Sequence, residues 1–338
     1  MLSERRASIL GIVVREYIVT AAPVGSETVS KRRELGVSAA TIRNEMADLE
    51  HEGYIWHPHT SAGRVPSDKG YRYFVEHLMG ESDLTPSEQR TILHQFHQVE
   101  FDPEEWVRLA CAVLSRSVRN AAIVSLPVAS ECRIKHFQII SVHDTLALLV
   151  LVLQDGTIRQ QMVSLPEPAV QEELTTLANR LNTIVAGLTT SQVEHRVLTS
   201  SPLEALVVES LTRLMEAADR ANFTEFYLDG LRNVLSQPEF ANSKKLQRLL
   251  EVLEDKRSLQ LILSQVLRDD GIKVIIGSEN PDDAMHDCTV VLARYGLAGE
   301  AVGAAGILGP TRLEYGRAIP VVRYVANLMS EIMREIRG

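Results

Sequence analysis

The chain contains 338 residues, of which 45% are hydrophobic and 23% are charged. This is the composition of a globular protein, and the length indicates two or three domains, because a domain averages about 150 residues. The 44 Asp and Glu residues exceed the 35 Lys and Arg residues, which gives a formal net charge of −9. An acidic total excludes a protein that coats nucleic acid over its whole surface, but it leaves room for one local basic face.

The charge is distributed unevenly along the chain. Residues 1–79 contain ten basic and ten acidic residues, so the rest of the chain carries the whole negative charge. The cysteines, Cys111, Cys132 and Cys288, have neither zinc-finger nor redox spacing. Isolated thiols are typical of a reducing compartment, and the longest aliphatic run is far shorter than the ~20 residues that a bilayer requires. We therefore expect a cytoplasmic protein with no membrane partner.

The N-terminal segment has the pattern of three short helices. Apolar residues at helical spacing predict a first helix over residues 3–21. Ser26 is a suitable N-cap for a second helix, and Ser38 is one for a third helix that ends at Gly53. Because a turn containing Gly36 joins the second helix to the third, the pattern predicts a helix-turn-helix.

The third helix separates an apolar face from a short polar face. At 100° per residue, Ile42 and Met46 share the apolar face, whereas Asn44 lies opposite with Arg43 beside it. Short side chains let a helix enter the major groove of DNA, where Asn and Arg read adenine and guanine edges. An ordinary solvated helix face is the alternative interpretation. The base or phosphate contacts expected from this helix are Ser38, Thr41, Arg43 and Asn44.

A strand and a returning loop follow the third helix. Residues 54–57 have the pattern of a strand, residues 58–63 that of a loop, and the chain returns at 64–65. A helix followed by such a basic hairpin is typical of a winged helix, whose wing contacts phosphate or the minor groove. The expected wing contacts are His59, Thr60, Ser61 and Arg64, and the expected phosphate contacts are Lys31, Arg32, Arg33 and Arg72.

The remaining chain alternates between extended and helical patterns. Asp155-Gly156 is a hairpin signal between two of three extended runs, which predicts an antiparallel meander. Strands separated by a long helical stretch indicate an α+β domain that is interrupted by a second domain. The extended runs are 134–142, 145–154, 157–165, 273–276, 288–295 and 300–308, and the helical patterns are 103–120, 166–222, 244–269 and 315–336.

Motifs for catalysis and for nucleotide binding are absent from the sequence. It contains no phosphate-binding P-loop, no H-E-x-x-H and no G-x-S-x-G. The glycine-rich stretch 296–309 lacks the spacing of a phosphate-binding loop and has the pattern of a strand. His57 and His59 have no cysteine nearby, so a polar loop is favoured over a metal site. We therefore expect no catalysis, no cofactor and no metal.

The N-terminal motifs resemble those of the heat-inducible transcription repressors, the HrcA family. The most specific match is the run 57–66, His-Pro-His-Thr-Ser-Ala-Gly-Arg-Val-Pro, which continues through Asp-Lys-Gly-Tyr-Arg at 68–72. The third-helix segments 36–46 and 49–55 are similar to the family as well. Near the C-terminus the resemblance includes Gly-Ile-Leu-Gly-Pro-Thr-Arg at 306–312.

The resemblance implies both an architecture and a function. Members of this family repress chaperone operons as homodimers that bind an inverted-repeat operator, and a GroEL-type chaperonin supports the folded repressor until heat stress occupies it. The implied fold is an α+β multidomain protein with a mainly helical dimerising insert in a GAF-like α/β domain. The expected domains are a winged helix-turn-helix at 1–80, a linker with a helix at 81–103, a GAF-like domain at 104–165 and 241–338, and an inserted dimerisation domain at 166–240.

Two other functions remain open at this point. A metabolite-responsive winged-helix repressor would bind an inducer in a GAF-like domain, in a mainly apolar pocket with a few convergent polar groups. An enzyme with an accessory winged helix would need a cluster of titratable side chains with perturbed pKa values within residues 104–338. No such cluster stands out in the sequence.

Overall fold

The computed structural model describes residues 2–32, 36–59, 63–80, 83–99, 102–129, 132–154, 156–196, 201–221, 225–241, 243–264, 266, 271–297 and 301–337. The helices are α1 (Glu4–Thr20), α2 (Ser26–Ser30), α3 (Ala39–His51), α4 (Asp68–Tyr73), α5 (Pro86–Phe96), α6 (Pro103–Val118), α7 (Gln171–Val185), α8 (Thr190–Arg196), α9 (Pro202–Ala221), α10 (Leu231–Leu235), α11 (Ser243–Glu254), α12 (Lys256–Ser264) and α13 (Tyr315–Arg337). The strands are β1 (Ile55–Trp56), β2 (Val65–Pro66), β3 (Ala121–Ser125), β4 (Val128–Ala129), β5 (Ile134–His143), β6 (Leu146–Leu153), β7 (Ile158–Ser164), β8 (Phe226–Asp229), β9 (Ile272–Ile276), β10 (Cys288–Gly296) and β11 (Ala301–Pro310).

The chain has a mixed α+β fold that divides into two compact units. The first unit comprises Met1–Leu126, Glu225–Tyr295 and Gly303–Gly338. The second unit comprises Pro127–Thr224 and Gly296–Val302. The first unit is therefore built from three separate stretches of sequence, and the second unit is an insertion between them.

The three N-terminal helices pack on one another as their apolar spacing predicts. Leu10 and Val13 of α1 and Ile42 and Met46 of α3 are completely buried in one core. Strands β1 and β2 pair antiparallel, with Trp56 opposite the first residue of β2. The helix and strand bounds agree with the sequence pattern to within a few residues.

Gly63 allows the chain to return from the loop that follows β1. A Cβ atom at Gly63 would lie 2.5 Å from the backbone carbon of Val24. The next residue, Arg64, pairs with Val24 through two backbone hydrogen bonds of 2.8 and 2.9 Å. Only a residue without a side chain permits this approach, which ties the returning strand to the segment between α1 and α2.

An antiparallel sheet forms the centre of the first unit. Its strands follow the order β8-β3-β11-β10-β9. Helix α6 packs on β3 and on α13, and buried residues of these helices share one core with the N-terminal helices. The N-terminal segment is thus continuous with the core of the first unit.

The second unit combines the three-stranded meander β5-β6-β7 with helices α7–α9. One face of the sheet is covered by α7 and α9, and Phe137 and Leu151 are buried with Leu174 and Leu211. The sequence-based division, with 104–165 in the GAF-like domain and 166–240 in the insert, therefore needs correction. The meander belongs to the inserted unit, because the apolar side chains of its inner face pack on the insert's own helices.

The helical pattern at 244–269 corresponds to two helices rather than one. Helix α11 ends at Glu254, and α12 begins at Lys256. The Asp255 carboxylate accepts hydrogen bonds from the Arg257 N–H at 3.1 Å and from the Ser258 hydroxyl at 3.0 Å. An Asp that caps a helix N-terminus in this way starts a new helix and interrupts the preceding one. None of the helices in the described part of the chain combines the length and the apolar composition that a membrane span requires.

Candidate nucleic-acid interface

Ser38 starts α3 by capping its N-terminus. The Ser38 backbone is extended, and its hydroxyl oxygen accepts a hydrogen bond of 3.2 Å from the Thr41 N–H. The two hydroxyl oxygens, Ser38 Oγ and Thr41 Oγ1, lie 3.0 Å apart. The structure thus brings both predicted side chains to the same end of the helix, where they satisfy an otherwise unpaired backbone donor.

Arg43 and Asn44 lie on the exposed side of α3. Both are exposed, whereas Ile42, Met46 and Leu49 on the opposite side are fully buried. Within the described part of the chain, neither side chain forms a hydrogen bond or an ion pair. A guanidinium with five N–H donors and an amide with both donors and an acceptor are therefore free to contact a ligand.

Two acidic residues of α3, and a third at its C-cap, are bound by an arginine of α1. The Arg6 guanidinium donates to Glu45 at 2.9 Å, to Asp48 at 2.5 Å and to Glu52 at 2.7 Å. The hydrogen bond with Glu45 and the charges of all three acids raise the pKa of Arg6. These contacts hold the three carboxylates on the side of the helix that faces α1. Arg6 is not among the residues predicted from the sequence, although the spacing of the three acids is a signal for a basic partner on a neighbouring helix.

Arg64 lies at the base of the hairpin and has an acidic partner. Its Nε atom donates to Glu50 at 3.2 Å, and His57 contacts the other oxygen of the same carboxylate. The Arg64 side chain is only 13% exposed. The Glu50 carboxylate at the end of α3 thus holds Arg64 against the helix, and the DNA contact expected of Arg64 stays a prediction.

Arg72 points away from the hairpin and toward a loop that follows β9. Its Nε atom donates to Glu279 at 2.8 Å, and its Nη2 atom donates to the Val274 carbonyl at 2.6 Å. The hydrogen bond with Glu279 is the main cause of a raised pKa at Arg72. Burial raises the pKa of Glu279, but hydrogen bonds from Arg72 and from the Ile276 N–H, together with the charge of Arg72, outweigh it and lower that pKa overall. Arg72 thus forms contacts within the first unit, and the phosphate contact expected of it stays a prediction.

A second contact joins α4 to the same loop. The Asp68 carboxylate accepts hydrogen bonds of 2.8 Å from both the N–H and the hydroxyl of Ser278. Gly277 has a φ of +52°, and a Cβ atom there would lie 2.2 Å from the Asp68 carboxylate. The conformation and the close approach both require glycine, so α4 is held at two points.

The other predicted residues differ in what surrounds them. Lys31 and Arg32 are exposed just after α2, and Arg32 pairs with Glu16 of α1. His59 is exposed after β1. Arg33, Thr60 and Ser61 lie outside the described residues. The exposed predicted residues with no side-chain partner within the described part are Lys31, Arg43, Asn44 and His59.

Metal-ligating clusters and reactive thiols would indicate chemistry other than binding. Among the described residues, no three His, Cys, Asp or Glu side chains converge in a way that would hold a metal ion. Burial raises the pKa of both Cys111 and Cys288 to about 12. Thiols with such pKa values stay protonated near neutral pH and are poor nucleophiles.

Comparison with known proteins links the whole chain to one family. A family model described as the HrcA protein C-terminal domain matches residues 104–319. The chain is 43% identical to the heat-inducible transcription repressor HrcA of Roseiflexus castenholzii, over 100% of this chain and 96% of that protein. It is 42% identical to the repressor of the same name from Herpetosiphon aurantiacus, over 100% of this chain and 97% of that protein.

A solved structure has a similar fold over nearly the full length. It is a crystal structure of a hypothetical protein at 2.2 Å resolution, with 26% sequence identity and a TM-score of 0.62 over 99% of both chains. The curated relatives are named as transcription repressors, which are not enzymes. The chain belongs to the HrcA family of heat-inducible transcription repressors.

Proposed function

We propose that this repressor reads a DNA operator through α3 and the β1–β2 hairpin, which together form a winged helix. The observation that carries the proposal is the unpaired state of Arg43 and Asn44 on the exposed side of α3. Arginine binds guanine and asparagine binds adenine through paired hydrogen bonds in the major groove. Both side chains are available for such bonds without breaking a contact within the described protein.

Phosphate contacts position α3 in this proposal. The N-terminus of a helix has a partial positive charge that favours a phosphate, and Ser38 and Thr41 lie there. Lys31 and Arg32 add positive charge just before that helix, with Arg33 next to them in the sequence. His59, Thr60 and Ser61 belong to the wing loop, whereas Arg64 and Arg72 position the hairpin and α4.

The proposed repressor is a homodimer that binds an inverted repeat, since two-fold symmetry in a protein matches two-fold symmetry in its operator. The outer face of the β5-β6-β7 sheet supports the dimer. Its inner face is covered by α7 and α9, but the outer face is mainly apolar and has no partner among the described residues of the unit. The apolar residues of this outer sheet face are Ile140, Val142, Leu146, Leu148, Val150, Val152, Ile158 and Met162, and the polar residues of the same face are His136, Gln138, Gln160 and Ser164.

A second copy of the chain is the occupant that fits this face. Ile158 is 61% exposed and Met162 is 47% exposed, and they lie opposite two apolar residues of β6, Val152 and Leu148 respectively. A contiguous apolar patch of this kind marks an interaction surface. The face belongs to the inserted unit. The family resemblance implies a dimerising insert, which the sequence analysis placed at 166–240 in the helical part of the same unit.

Heat stress releases the operator in this proposal, and a GroEL-type chaperonin supports the folded repressor. In this proposal the GAF-like domain is the part of the first unit that is built on the sheet β8-β3-β11-β10-β9, and the winged helix belongs to the same unit. Domains are stable by only about 5–15 kcal/mol, and unfolding rates rise several-fold per 10 °C, so modest heating depletes a marginal repressor. Gel shifts after a heat pulse, with and without added chaperonin, test this part.

A gel-shift titration tests operator recognition. The purified full chain is mixed with a duplex that carries an inverted repeat from a chaperonin promoter, and with a scrambled duplex at the same salt concentration. We expect a preference of several hundred-fold or more for the inverted repeat. Equal weak binding to both duplexes by a folded dimeric sample would contradict sequence-specific repression.

Sedimentation of sheet-face variants tests the dimer. Ile158→Lys together with Met162→Lys places two charges on the outer sheet face, and we expect monomers at concentrations at which the unmodified chain is dimeric. Ile184→Lys is the matched control, because Ile184 is 45% exposed on α7 of the same unit and lies off the sheet. Persistence of dimers in the double variant would place the interface elsewhere.

A further inference from the structure

The segment 39–52, which comprises α3 and its C-cap, contains four acidic residues. Three of them, Glu45, Asp48 and Glu52, accept hydrogen bonds from Arg6 of α1. The fourth accepts one from an arginine of the β1–β2 hairpin. Every acidic side chain of this segment therefore has a basic partner outside the helix, whereas the arginine of α3 itself has no acidic partner within the described part of the chain.

The Arg6 guanidinium divides its donors among three carboxylates. Its Nε atom lies 2.9 Å from Glu45 Oε2, its Nη2 atom lies 2.5 Å from Asp48 Oδ2, and its Nη1 atom lies 2.7 Å from Glu52 Oε1. Because the guanidinium is planar and its donors have a fixed geometry, it holds the three acids as one set. Arg5 adds a longer ion pair of 3.5 Å with Glu45. Two positive charges of α1 thus oppose three negative charges, and one negative charge remains uncompensated.

These three acids adjoin the side of α3 that reads DNA in the function proposed above. Residues four positions apart differ by only about 40° around a helix, so Asp48 follows Asn44 on the exposed side. The Asp48 side chain is 55% exposed, and the Glu52 side chain is 39% exposed. Charges on a protein surface act over about 10 Å at about 0.1 M salt. Without basic partners, these carboxylates would therefore repel the phosphates of a duplex that approaches Asn44.

We propose that Arg6 is a positioning residue for DNA binding, which neutralises the three acids and holds them against α1 when α3 approaches a duplex. Arg6 acts through these acids rather than through a phosphate of its own, because each of its three guanidinium nitrogens already donates to a carboxylate. The inference rests on the function proposed above, since it requires that α3 faces DNA. Phosphates are the same in every sequence, so Arg6 sets the affinity for any duplex rather than the choice between duplexes.

Gel-shift titrations of the full chain with Arg6→Gln test the proposal. The variant removes one positive charge and frees the three carboxylates. We expect binding to the operator and to a scrambled duplex to weaken by a similar factor, about three- to tenfold. The loss should shrink as the salt concentration rises from about 50 to 200 mM, because salt screens the repulsion. Unchanged affinity for both duplexes overturns the proposal.

A second substitution distinguishes neutralisation of the acids from a purely structural role. Asp48→Asn removes the charge of an exposed acid and keeps its size. Added to Arg6→Gln, it should restore most of the lost affinity for both duplexes. If Arg6 only held α1 and α3 together, the second substitution would restore nothing, and that outcome overturns the proposal.

The single variant Asp48→Asn decides the test if Arg6→Gln does not give a normal circular dichroism melt. In that variant Arg6 still holds Glu45 and Glu52, so the contact between α1 and α3 remains. We expect a higher affinity for both duplexes than that of the unmodified chain, because one negative charge beside the exposed side of α3 is gone. Unchanged affinity would overturn the proposal.

Arg213→Gln is the matched control for the loss of one positive charge. Arg213 pairs with Glu209 on α9 of the second unit, and its substitution should leave DNA binding unaltered. A loss as large as that of Arg6→Gln would assign the effect to net charge and overturn the proposal.

The same titrations separate this inference from the proposed function. If the unmodified chain binds both duplexes equally, sequence-specific repression fails, but the effect of Arg6→Gln is still measured on either duplex. If the unmodified chain prefers the operator and Arg6→Gln binds as tightly, only the role of Arg6 fails. Absence of binding to either duplex by the folded unmodified chain would overturn both.

Discussion

Two basic parts of the N-terminal segment have opposite surroundings. At α3, Arg43 is exposed and has no partner among the described residues, and Arg6 holds Glu45, Asp48 and Glu52 on the side of α1. After the hairpin, Arg72 is held by Glu279 and by a backbone carbonyl. Both arginines belong to a segment that has as many acidic as basic residues, so its neutral total says nothing about which charges are available.

Under the proposed function, the availability of basic side chains, rather than their number, marks the DNA-binding surface. A guanidinium that already has a carboxylate partner must lose that partner before it binds phosphate, which offsets the gain. Arg64 with Glu50 behaves like Arg72 in this respect. Substitutions of one arginine at a time, with DNA binding and stability measured separately, test this difference.

The largest expected effect is on operator affinity at α3. Arg43→Ala or Asn44→Ala removes a predicted base contact, and we expect operator binding to weaken about 10- to 100-fold for each, which corresponds to about 1–3 kcal/mol. Binding to a scrambled duplex should change much less. Gel-shift titrations at one fixed salt concentration provide the measurement.

A matched control separates base reading from loss of charge. Arg334→Ala removes an exposed arginine near the end of α13, and it should leave operator affinity unaltered. If Arg43→Ala and Asn44→Ala weakened binding to both duplexes equally, these residues would have no role in reading bases.

The next effect is on stability at the contact between α4 and the loop after β9. Arg72→Ala leaves the partly buried Glu279 without its partner, and we expect the free energy of unfolding to fall by about 1–3 kcal/mol. The ratio of operator to scrambled binding should stay constant, since Arg72 is bound inside the first unit. Chemical denaturation and gel shifts of the same sample measure both.

An exposed ion pair is the control for Arg72. Arg213 pairs with Glu209 on α9, and both side chains are more than half exposed, so Arg213→Ala should cost less than about 1 kcal/mol. An Arg72→Ala protein with unchanged stability and reduced affinity for every duplex would return Arg72 to the phosphate contacts.

A smaller effect is expected at the base of the hairpin. Each phosphate contact contributes about 0.9 to the slope of log affinity against log salt. Because Arg64 is bound to Glu50, we expect Arg64→Ala to change this slope far less than Lys31→Ala does. Binding measured between about 50 and 200 mM salt provides both slopes, and a loss near one unit for Arg64→Ala would show that it contacts phosphate.

The smallest effect is a pH dependence at Glu279. Its pKa in the folded protein lies below the ordinary value of 4.5, so its ion pair stabilises the fold above pH 4.5 and is lost as the pH falls through the folded-state pKa. Glu279→Gln should lower the free energy of unfolding by about 1 kcal/mol at pH 7, since the pair is partly exposed. This deficit should shrink in denaturation curves recorded below pH 4.5, and a deficit independent of pH would rule out the ion pair as its cause.

Local patterns in the sequence determined most of the individual elements. Ser38 predicts the start of α3 because its hydroxyl caps the next turn, and the apolar spacing of Ile42 and Met46 predicts the buried side. The same spacing leaves Arg43 and Asn44 outside. These features depend on residues a few positions apart, which is why a single chain suffices to predict them.

Only the tertiary structure decided which of the charged residues are available and where the two units divide. Arg72 and Glu279 are 207 positions apart, and no local pattern indicates that they meet. The meander joins the inserted unit because α7 and α9 cover its inner face. Pairing and burial depend on contacts made after folding, whereas helix caps and apolar periodicity are already present in the unfolded sequence.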